Sequence, residues 1–84
     1  MSWDVDFSSR IEADLVGLDE SVSGALDDLV AGWLDHGPPL QGERTLGGLT
    51  FYEEVVAGRF VLAYVVDEER SRFMLLWLRA RPGL

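Results

Sequence analysis

Residues 59–81 read RFVLAYVVDEERSRFMLLWLRAR, and this stretch decides the fold. Two strongly apolar runs flank an acidic turn, DEERS, at residues 67–71. A connection this short favours antiparallel pairing of the two runs. Both runs are apolar on both faces, which is typical of strands in the middle of a sheet. The stretch therefore predicts two central strands, at residues 59–66 and 72–80, joined as a hairpin.

The sheet is predicted to extend in both directions from this hairpin. Residues 50–57 form another strand-like run, and Gly58 separates it from the next one, so a third antiparallel strand is expected there. Residues 41–48 contain three glycines and are interpreted as a loop. Near the N-terminus, Trp3, Val5 and Phe7 alternate with aspartates, which predicts an edge strand with one wet face.

Two helices are predicted between the first strand and the loop. Ser9 and Glu12 have the spacing of a capping box, and Gly17 limits the helix that follows to a short one. Asp19 is expected to cap the second helix, which ends at the sequence HGPP of residues 36–39. Its apolar stripe consists of Val22, Leu26, Leu29 and Trp33.

The almost absent linker predicts an antiparallel helical hairpin. The fold class is therefore α+β, in the order β-α-α-β-β-β, with the helical hairpin on one face of a small antiparallel sheet. Residues 1–84 are expected to form a single domain, and a hydrophobic content of 48% supports a folded chain.

Charge is distributed unevenly along the chain, whose net charge is −8. Residues 1–43 carry ten acidic residues and one arginine, while residues 44–84 carry five acidic residues and six arginines. The overall sign disfavours non-specific nucleic-acid binding, but a local basic patch in the second half is compatible with it. The absence of cysteine excludes disulfides and thiolate metal sites and fits a reducing, cytoplasmic location. No signal peptide or membrane span is expected.

Most polar residues are interpreted as structural. His36 is the only histidine and stands at a helix C-terminus, where it interacts well with the helix dipole. Neighbouring carboxylates such as Glu53 and Glu54 point apart on a strand, so they form no convergent pair by themselves. There is no phosphate-binding glycine loop and no nucleophile motif, so no cofactor and no metal are predicted.

The arginines are the strongest candidates for a binding site. Arg79 and Arg81 share one face of the last strand, and the hairpin brings Arg59 towards them. Arg44, in the preceding loop, is expected to join them. Several guanidinium groups at one end of a sheet favour a phosphate or carboxylate site. The alternative is that they only mark strand ends or pair with Glu53 and Glu54.

The whole pattern resembles the RelE/ParE toxin superfamily of bacterial toxin–antitoxin modules. The segments that carry the resemblance are WDVDFS, SSRIEADLVGL, DESVSGALDDLVAGWL, GPPLQGERTL, FYEEVVAGRFVLAYVVDEE and FMLLWLRAR. No single motif is specific, and the resemblance depends on their order and spacing over almost the whole chain.

The resemblance implies a toxin whose basic residues bind mRNA in the ribosomal A site and support attack of a 2′-hydroxyl on the adjacent phosphate. Arg44 matches the basic position of the loop, and Arg81 matches the arginine that ends the last strand. The family's central-strand arginine falls on Val61 here, and Arg59 is the candidate to replace it. Arg79 is assigned to substrate binding. Arg44, Arg59 and Arg81 are assigned to catalysis.

Three functions stay open from the sequence. The first is a RelE-like toxin that cleaves mRNA on the ribosome, and the second is a ParE-like toxin that binds a protein such as gyrase. The third is a non-catalytic, protein-binding member of the same fold. In each case the expected partner is a cognate antitoxin. The expected assembly is a homodimer or a toxin–antitoxin hetero-oligomer. Trp33, Phe73 and Trp77 are possible anchors for it, although core packing is the main expectation.

Overall fold

The computed structural model describes residues 2–82 and contains two helices and five strands. Their order is β1 (Asp4–Phe7), α1 (Ser9–Leu15), α2 (Glu20–His36), β2 (Arg44–Leu46), β3 (Leu49–Val56), β4 (Phe60–Asp67) and β5 (Arg72–Ala80). The strands form one sheet in the order β1-β5-β4-β3-β2. The helices pack on one face of it, which confirms the predicted α+β class.

The pairing of the strands follows the prediction at the centre and departs from it at one edge. β3, β4 and β5 are antiparallel neighbours, and β4 lies in the middle. β1 is an edge strand, as expected, but it runs parallel to β5, so the sheet is mixed. Because α1 and α2 carry the chain away before it returns, the first strand is free to pair in this direction.

The predicted loop at residues 41–48 is wrong in part, because Arg44–Leu46 form strand β2 at the other edge. Gly47 and Gly48 both have positive φ, 58° and 83°. Two such residues in succession make the tight turn that suits the twist of a hairpin. The turn closes β2 onto β3 in antiparallel register. A Gly-Gly pair between apolar residues was the available signal for this hairpin.

Helix α1 begins with a different cap from the one predicted. The N-cap is Ser8, whose Oγ accepts a hydrogen bond from the Ile11 amide at 3.1 Å, and Ser9 is already the first helical residue. The helix still ends early, after Leu15, with Gly17 at a φ of 76°. The cap predicted for α2 is confirmed, since Asp19 Oδ1 accepts from the Ser21 amide at 3.0 Å.

An aromatic cluster fills the space between α2 and the sheet. The ring of Trp33 lies 4.5 Å from that of Tyr64 and 5.6 Å from that of Phe73, measured between centroids. The Tyr64 hydroxyl donates to the Pro39 carbonyl at 2.6 Å, and burial raises the pKa of this phenol above its ordinary value. Trp33 and Phe73 are thus core residues, in agreement with the main expectation for them.

Gly37, at the end of α2, packs closely against Trp3, the residue before β1. Its φ of 85° and ψ of 154° lie in a region that only glycine adopts readily. A Cβ atom at this position would lie 2.6 Å from Cε2 of Trp3. The Trp3 amide in turn donates to the Leu34 carbonyl at 2.7 Å. The indole therefore closes over the C-terminus of the helix, and no side chain fits between them.

A β-bulge interrupts strand β5 in its middle. Ala63 pairs with Trp77 and Tyr64 pairs with Leu75, so Leu76 is an extra residue without a partner on β4. Before the bulge, Leu75 faces the core and is fully buried; after it, Leu78 does so and is 5% exposed. The extra residue therefore turns Trp77 to the opposite face of the sheet, away from the helices.

Side chains from α1 and its N-cap form hydrogen bonds with backbone groups at this bulge. β1 ends opposite Leu75, so the edge of β5 beyond that point lacks a strand partner. The Ser8 hydroxyl donates to the Leu76 carbonyl at 2.6 Å, and Asp14 Oδ2 accepts from the Leu78 amide at 3.1 Å. Each bond contributes about 1 kcal/mol net, and leaving either buried group unpaired costs about 1–3 kcal/mol.

The first prediction concerns Gly37. Replacing Gly37 by Ala should destabilise the protein by at least about 1–3 kcal/mol, because the backbone conformation is strained for any L-residue and the new methyl group collides with Trp3. Urea denaturation measures the change. Gly32→Ala is the matched control: it lies inside α2, has nothing within 4 Å of the added Cβ, and should stabilise the protein by about 0.5–1 kcal/mol. Equal effects of the two substitutions would contradict this account.

The second prediction separates the two adjacent serines. Ser8→Ala removes both the helix cap and the bond to the Leu76 carbonyl, and it should cost about 2–3 kcal/mol of unfolding free energy. Ser9→Ala removes an exposed hydroxyl and should change stability by less than about 0.5 kcal/mol. Thermal unfolding of the two variants side by side is the measurement. A larger loss of stability for Ser9→Ala than for Ser8→Ala would support Ser9 as the N-cap, as the sequence indicated.

Candidate anion-binding site

The face of the sheet opposite the helices carries a small aromatic cluster. The rings of Phe51 on β3 and Trp77 on β5 meet at 5.1 Å between centroids, inclined by 65°. Ala63 lies between them on β4, is paired with Trp77 and is fully buried. A small residue at the centre leaves room for the two large rings to meet across it. We call this side of the sheet the open face.

Next to the aromatic cluster, the open face holds a depression of about 380 Å³. Its lining consists of Arg44, Glu53, Val61, Trp77, Arg79, Ala80, Arg81 and Pro82. Three arginines therefore line one site together with a single carboxylate, and the lining residues carry a net charge of +2. We call it the arginine pocket. The structure brings together Arg44, Arg79 and Arg81 of the four arginines that the sequence pointed to.

Each of the three arginines has a different setting. Nε of Arg44 donates to Glu53 Oε1 at 2.9 Å. The guanidinium carbon of Arg79 lies over the indole of Trp77, 4.5 Å from the ring centroid, which is within cation–π range. Arg81 is exposed just beyond the end of β5, and its amide donates to the Arg59 carbonyl at 2.8 Å.

Ion pairing distinguishes two of these arginines from all the others. Five arginine–carboxylate pairs form: Arg10–Asp14, Arg44–Glu53, Arg59–Asp19, Arg70–Asp67 and Arg72–Asp6. Within residues 2–82, Arg79 and Arg81 are the only arginines without a carboxylate partner. Both line the arginine pocket. In a chain with more than twice as many acidic as basic residues, two neighbouring arginines without such partners leave cationic donors available to an external anion.

Arg59 does not reach the pocket. Its guanidinium donates to Asp19 Oδ2 at 2.9 Å and lies 3.4 Å from the Ser21 hydroxyl, at the start of α2. This bond, followed by those from Ser21, lowers the pKa of the Asp19 carboxyl. The reason is local: β4 begins at Phe60, so Arg59 belongs to the turn, and the alternation of a strand does not fix its direction.

Val61 occupies the position where the resemblance implies an arginine. It lies on β4, opposite Arg79 on one side and Val55 on the other, and its apolar side chain lines the pocket. Glu53 supplies the only carboxylate among the lining side chains. The pocket therefore combines two arginines that have no carboxylate partner within residues 2–82 with one carboxylate and an apolar side chain.

Sequence reasoning expected Glu53 only as an ion-pair partner of an arginine; its place in the pocket lining and the contact of Trp77 with Arg79 come from the structure. Glu53 is two residues after Phe51, and this spacing was enough to place both on one face of β3. The position of Trp77 was harder to predict, because strict alternation along β5 puts it on the same face as Phe73 and Leu75. The bulge at Leu76 reverses that order after Leu75, and nothing local in the sequence announces it.

Other sites are not found in the described part of the chain. Residues 2–82 contain no group of three or more histidine or acidic side chains placed to hold a metal ion. Within the same residues, no helix is long and apolar enough to cross a bilayer. His36 lies in the last turn of α2 and is exposed. It is not among the residues that line the arginine pocket.

Comparison with known proteins supports the fold through structure only. No protein-family model matches the sequence, and no curated protein sequence matches it. A chain of the RelBE2 toxin–antitoxin complex from Mycobacterium tuberculosis is similar to it, with a TM-score of 0.67 and 19% sequence identity, covering 96% of this chain and all of that one. A toxin from Helicobacter pylori, solved in a metal-bound form, gives a TM-score of 0.68 and 20% identity, covering 100% of this chain and 99% of that one. The chain thus shares the fold of these two structures.

Proposed function

We propose that this protein is the toxin of a type II toxin–antitoxin module and that it cleaves mRNA at the arginine pocket, in the manner of RelE. The observation that carries the proposal is the pair Arg79 and Arg81, which lack carboxylate partners within residues 2–82 and meet Arg44 at one pocket. The similarity of the fold to that of toxins supports the assignment as a toxin. The chemistry of the pocket supports the cleavage of mRNA.

Guanidinium groups suit the charge that develops during RNA cleavage. When a 2′-oxygen attacks the adjacent phosphorus, an O–P bond forms, the bond to the 5′-oxygen breaks, and negative charge builds up on the phosphoryl oxygens. Arg81 and Arg44 are assigned to these oxygens, because arginine donates two parallel hydrogen bonds to a phosphate. Glu53 is assigned to take the proton of the 2′-hydroxyl, and the departing 5′-oxygen takes a proton from water.

The partners follow from the same proposal. A cognate antitoxin binds the protein and holds it inactive, in line with the presence of one structural neighbour in a toxin–antitoxin complex. The substrate is mRNA on the ribosome, and the location is the cytoplasm. The acidic first half of the chain lies mostly in the helices, on the far side of the sheet from the pocket. An RNA strand on the open face thus avoids direct contact with that acidic layer.

The third prediction tests the pocket against its nearest arginine outside it. Induced expression of the protein in bacteria should arrest growth, and Arg81→Ala should relieve the arrest, because loss of one such contact lowers the rate about 10²–10³-fold. Arg59→Ala is the matched control, since it removes the same charge beside Arg81 but outside the pocket. It should stay toxic. The measurement is growth after induction, together with the sites of mRNA cleavage in the same cells.

Other outcomes point to a different function. If the Arg81→Ala variant arrests growth as strongly as the original protein, the role assigned to Arg81 is refuted. Growth arrest without mRNA cleavage and with a DNA-damage response would support a toxin that binds a protein such as gyrase. One observation favours that second candidate: Val61 lacks the guanidinium that the resemblance implies, and protein binding does not need it. Harmless expression would support the non-toxic, protein-binding alternative.

A further inference from the structure

Arg79 lies over the indole of Trp77 at the border of the arginine pocket. The guanidinium carbon of Arg79 lies 4.5 Å from the centroid of the indole. Both residues are on the open face of β5, two positions apart, so the strand itself holds them side by side. Arg79 is exposed, which leaves the outer face of its guanidinium plane accessible to solvent.

The indole in this pair has a fixed position. Phe51 contacts it at 5.1 Å in an edge-to-face arrangement, and the fully buried Ala63 lies beside it on β4. The bulge at Leu76 determines that the ring points to this face at all. Arg79 has no carboxylate partner within residues 2–82 that would draw it off the ring. The guanidinium is therefore held over an aromatic surface that is itself held by packing.

We propose that the Trp77–Arg79 pair is a stacking platform for one nucleobase of a single-stranded RNA, beside the phosphate bound by Arg44 and Arg81. This inference rests on the proposed function, because it assigns the base next to the phosphate at the same pocket. Nucleobases of single-stranded RNA stack on aromatic rings and on arginine planes, and both surfaces are present here in one pair.

The arrangement gives Arg79 a different chemistry from Arg81. A phosphate takes hydrogen bonds from the N–H edge of a guanidinium, whereas a base stacks on its flat face. Because Arg79 lies over the indole and is exposed, its solvent-facing side remains for a planar group. Among the parts of an RNA strand, only the base is planar. Within residues 2–82, Arg79 is the arginine that lies over an aromatic ring, and Arg81 is assigned to bind the phosphate through the edge of its guanidinium group.

A comparison of two RNA probes tests this platform. One is a short single-stranded RNA oligonucleotide, and the other is the same oligonucleotide made abasic, so that phosphates and sugars stay while the bases are removed. Fluorescence anisotropy gives the affinity of the full-length protein for each. The protein should bind the base-containing probe about tenfold more tightly than the abasic probe, the preference expected from stacking of one base.

Arg79→Lys is the decisive variant, since it keeps the charge and removes the plane. It should reduce the preference for the base-containing probe to within about twofold, while the affinity for the abasic probe stays nearly unchanged. Arg81→Lys is the matched control and should weaken binding of both probes by the same factor. Trp77→Leu should also abolish the preference, and a thermal unfolding curve checks that this variant is folded.

The outcomes separate the platform from the function on which it rests. Equal weakening of both probes in Arg79→Lys would make Arg79 a phosphate contact and overturn the platform. A preference that survives in both Arg79→Lys and folded Trp77→Leu would make the pair purely structural. RNA binding without any preference for bases in the original protein refutes the platform alone. If the protein binds neither probe, the platform falls, while the proposed function is decided separately by growth arrest and mRNA cleavage in cells.

Discussion

Two hydrogen bonds from helix α1 to strand β5 hold the bulge at Leu76, and the layout of the open face depends on them. Ser8 and Asp14 supply the partners that β1 does not supply after it ends. If β5 were regular, Trp77 would point towards the helices and Leu78 away from them. The aromatic cluster would then be lost from the open face, and the core would have to accept an indole in place of a leucine.

The same bulge explains why one strand, β5, contributes to two different surfaces. Before it, Phe73 packs against Trp33, and Leu75 is fully buried in the same core. After it, Trp77 and Arg79 belong to the open face, beside a pocket that contains two further arginines. Small sheets have few residues to divide between stability and binding. A change of alternation within β5 lets consecutive segments of one strand contribute to each.

Much of the fold could be predicted from periodicity and turn chemistry. The central hairpin, the stripe on α2 and the cap at Asp19 all follow local rules, because each depends on residues close together in the sequence. The predicted cap at Ser9 failed for a reason of another kind. Ser8 was favoured over its neighbour because its hydroxyl also reaches Leu76, a contact between distant parts of the chain.

The candidate site was predictable to a smaller extent, again for physical reasons. The pairing of β4 with β5, which places Arg79 and Arg81 at the end of the hairpin, was predicted, whereas Arg44 joins them through strand β2, which the sequence analysis took for a loop. Arg59 lies in a turn, where a flexible side chain turns towards the nearest suitable carboxylate, here Asp19. Its partner is 40 positions away in the sequence. Such a choice between competing ion pairs requires the three-dimensional arrangement of the charges.

The separation of charge between the two layers has a consequence for how ionic strength acts on the molecule. Exposed acidic residues of the helical layer, such as Asp27 and Asp28, lie across the sheet from the arginine pocket. The molecule measures 35 × 29 × 22 Å, and the Debye length at physiological ionic strength is about 8 Å. In dilute buffer, a polyanion therefore meets the field of the whole protein, which is repulsive. At physiological ionic strength that distant repulsion is screened, and the anion meets chiefly the nearby guanidinium groups. Moderate salt thus reveals a local basicity that the net charge of −8 conceals.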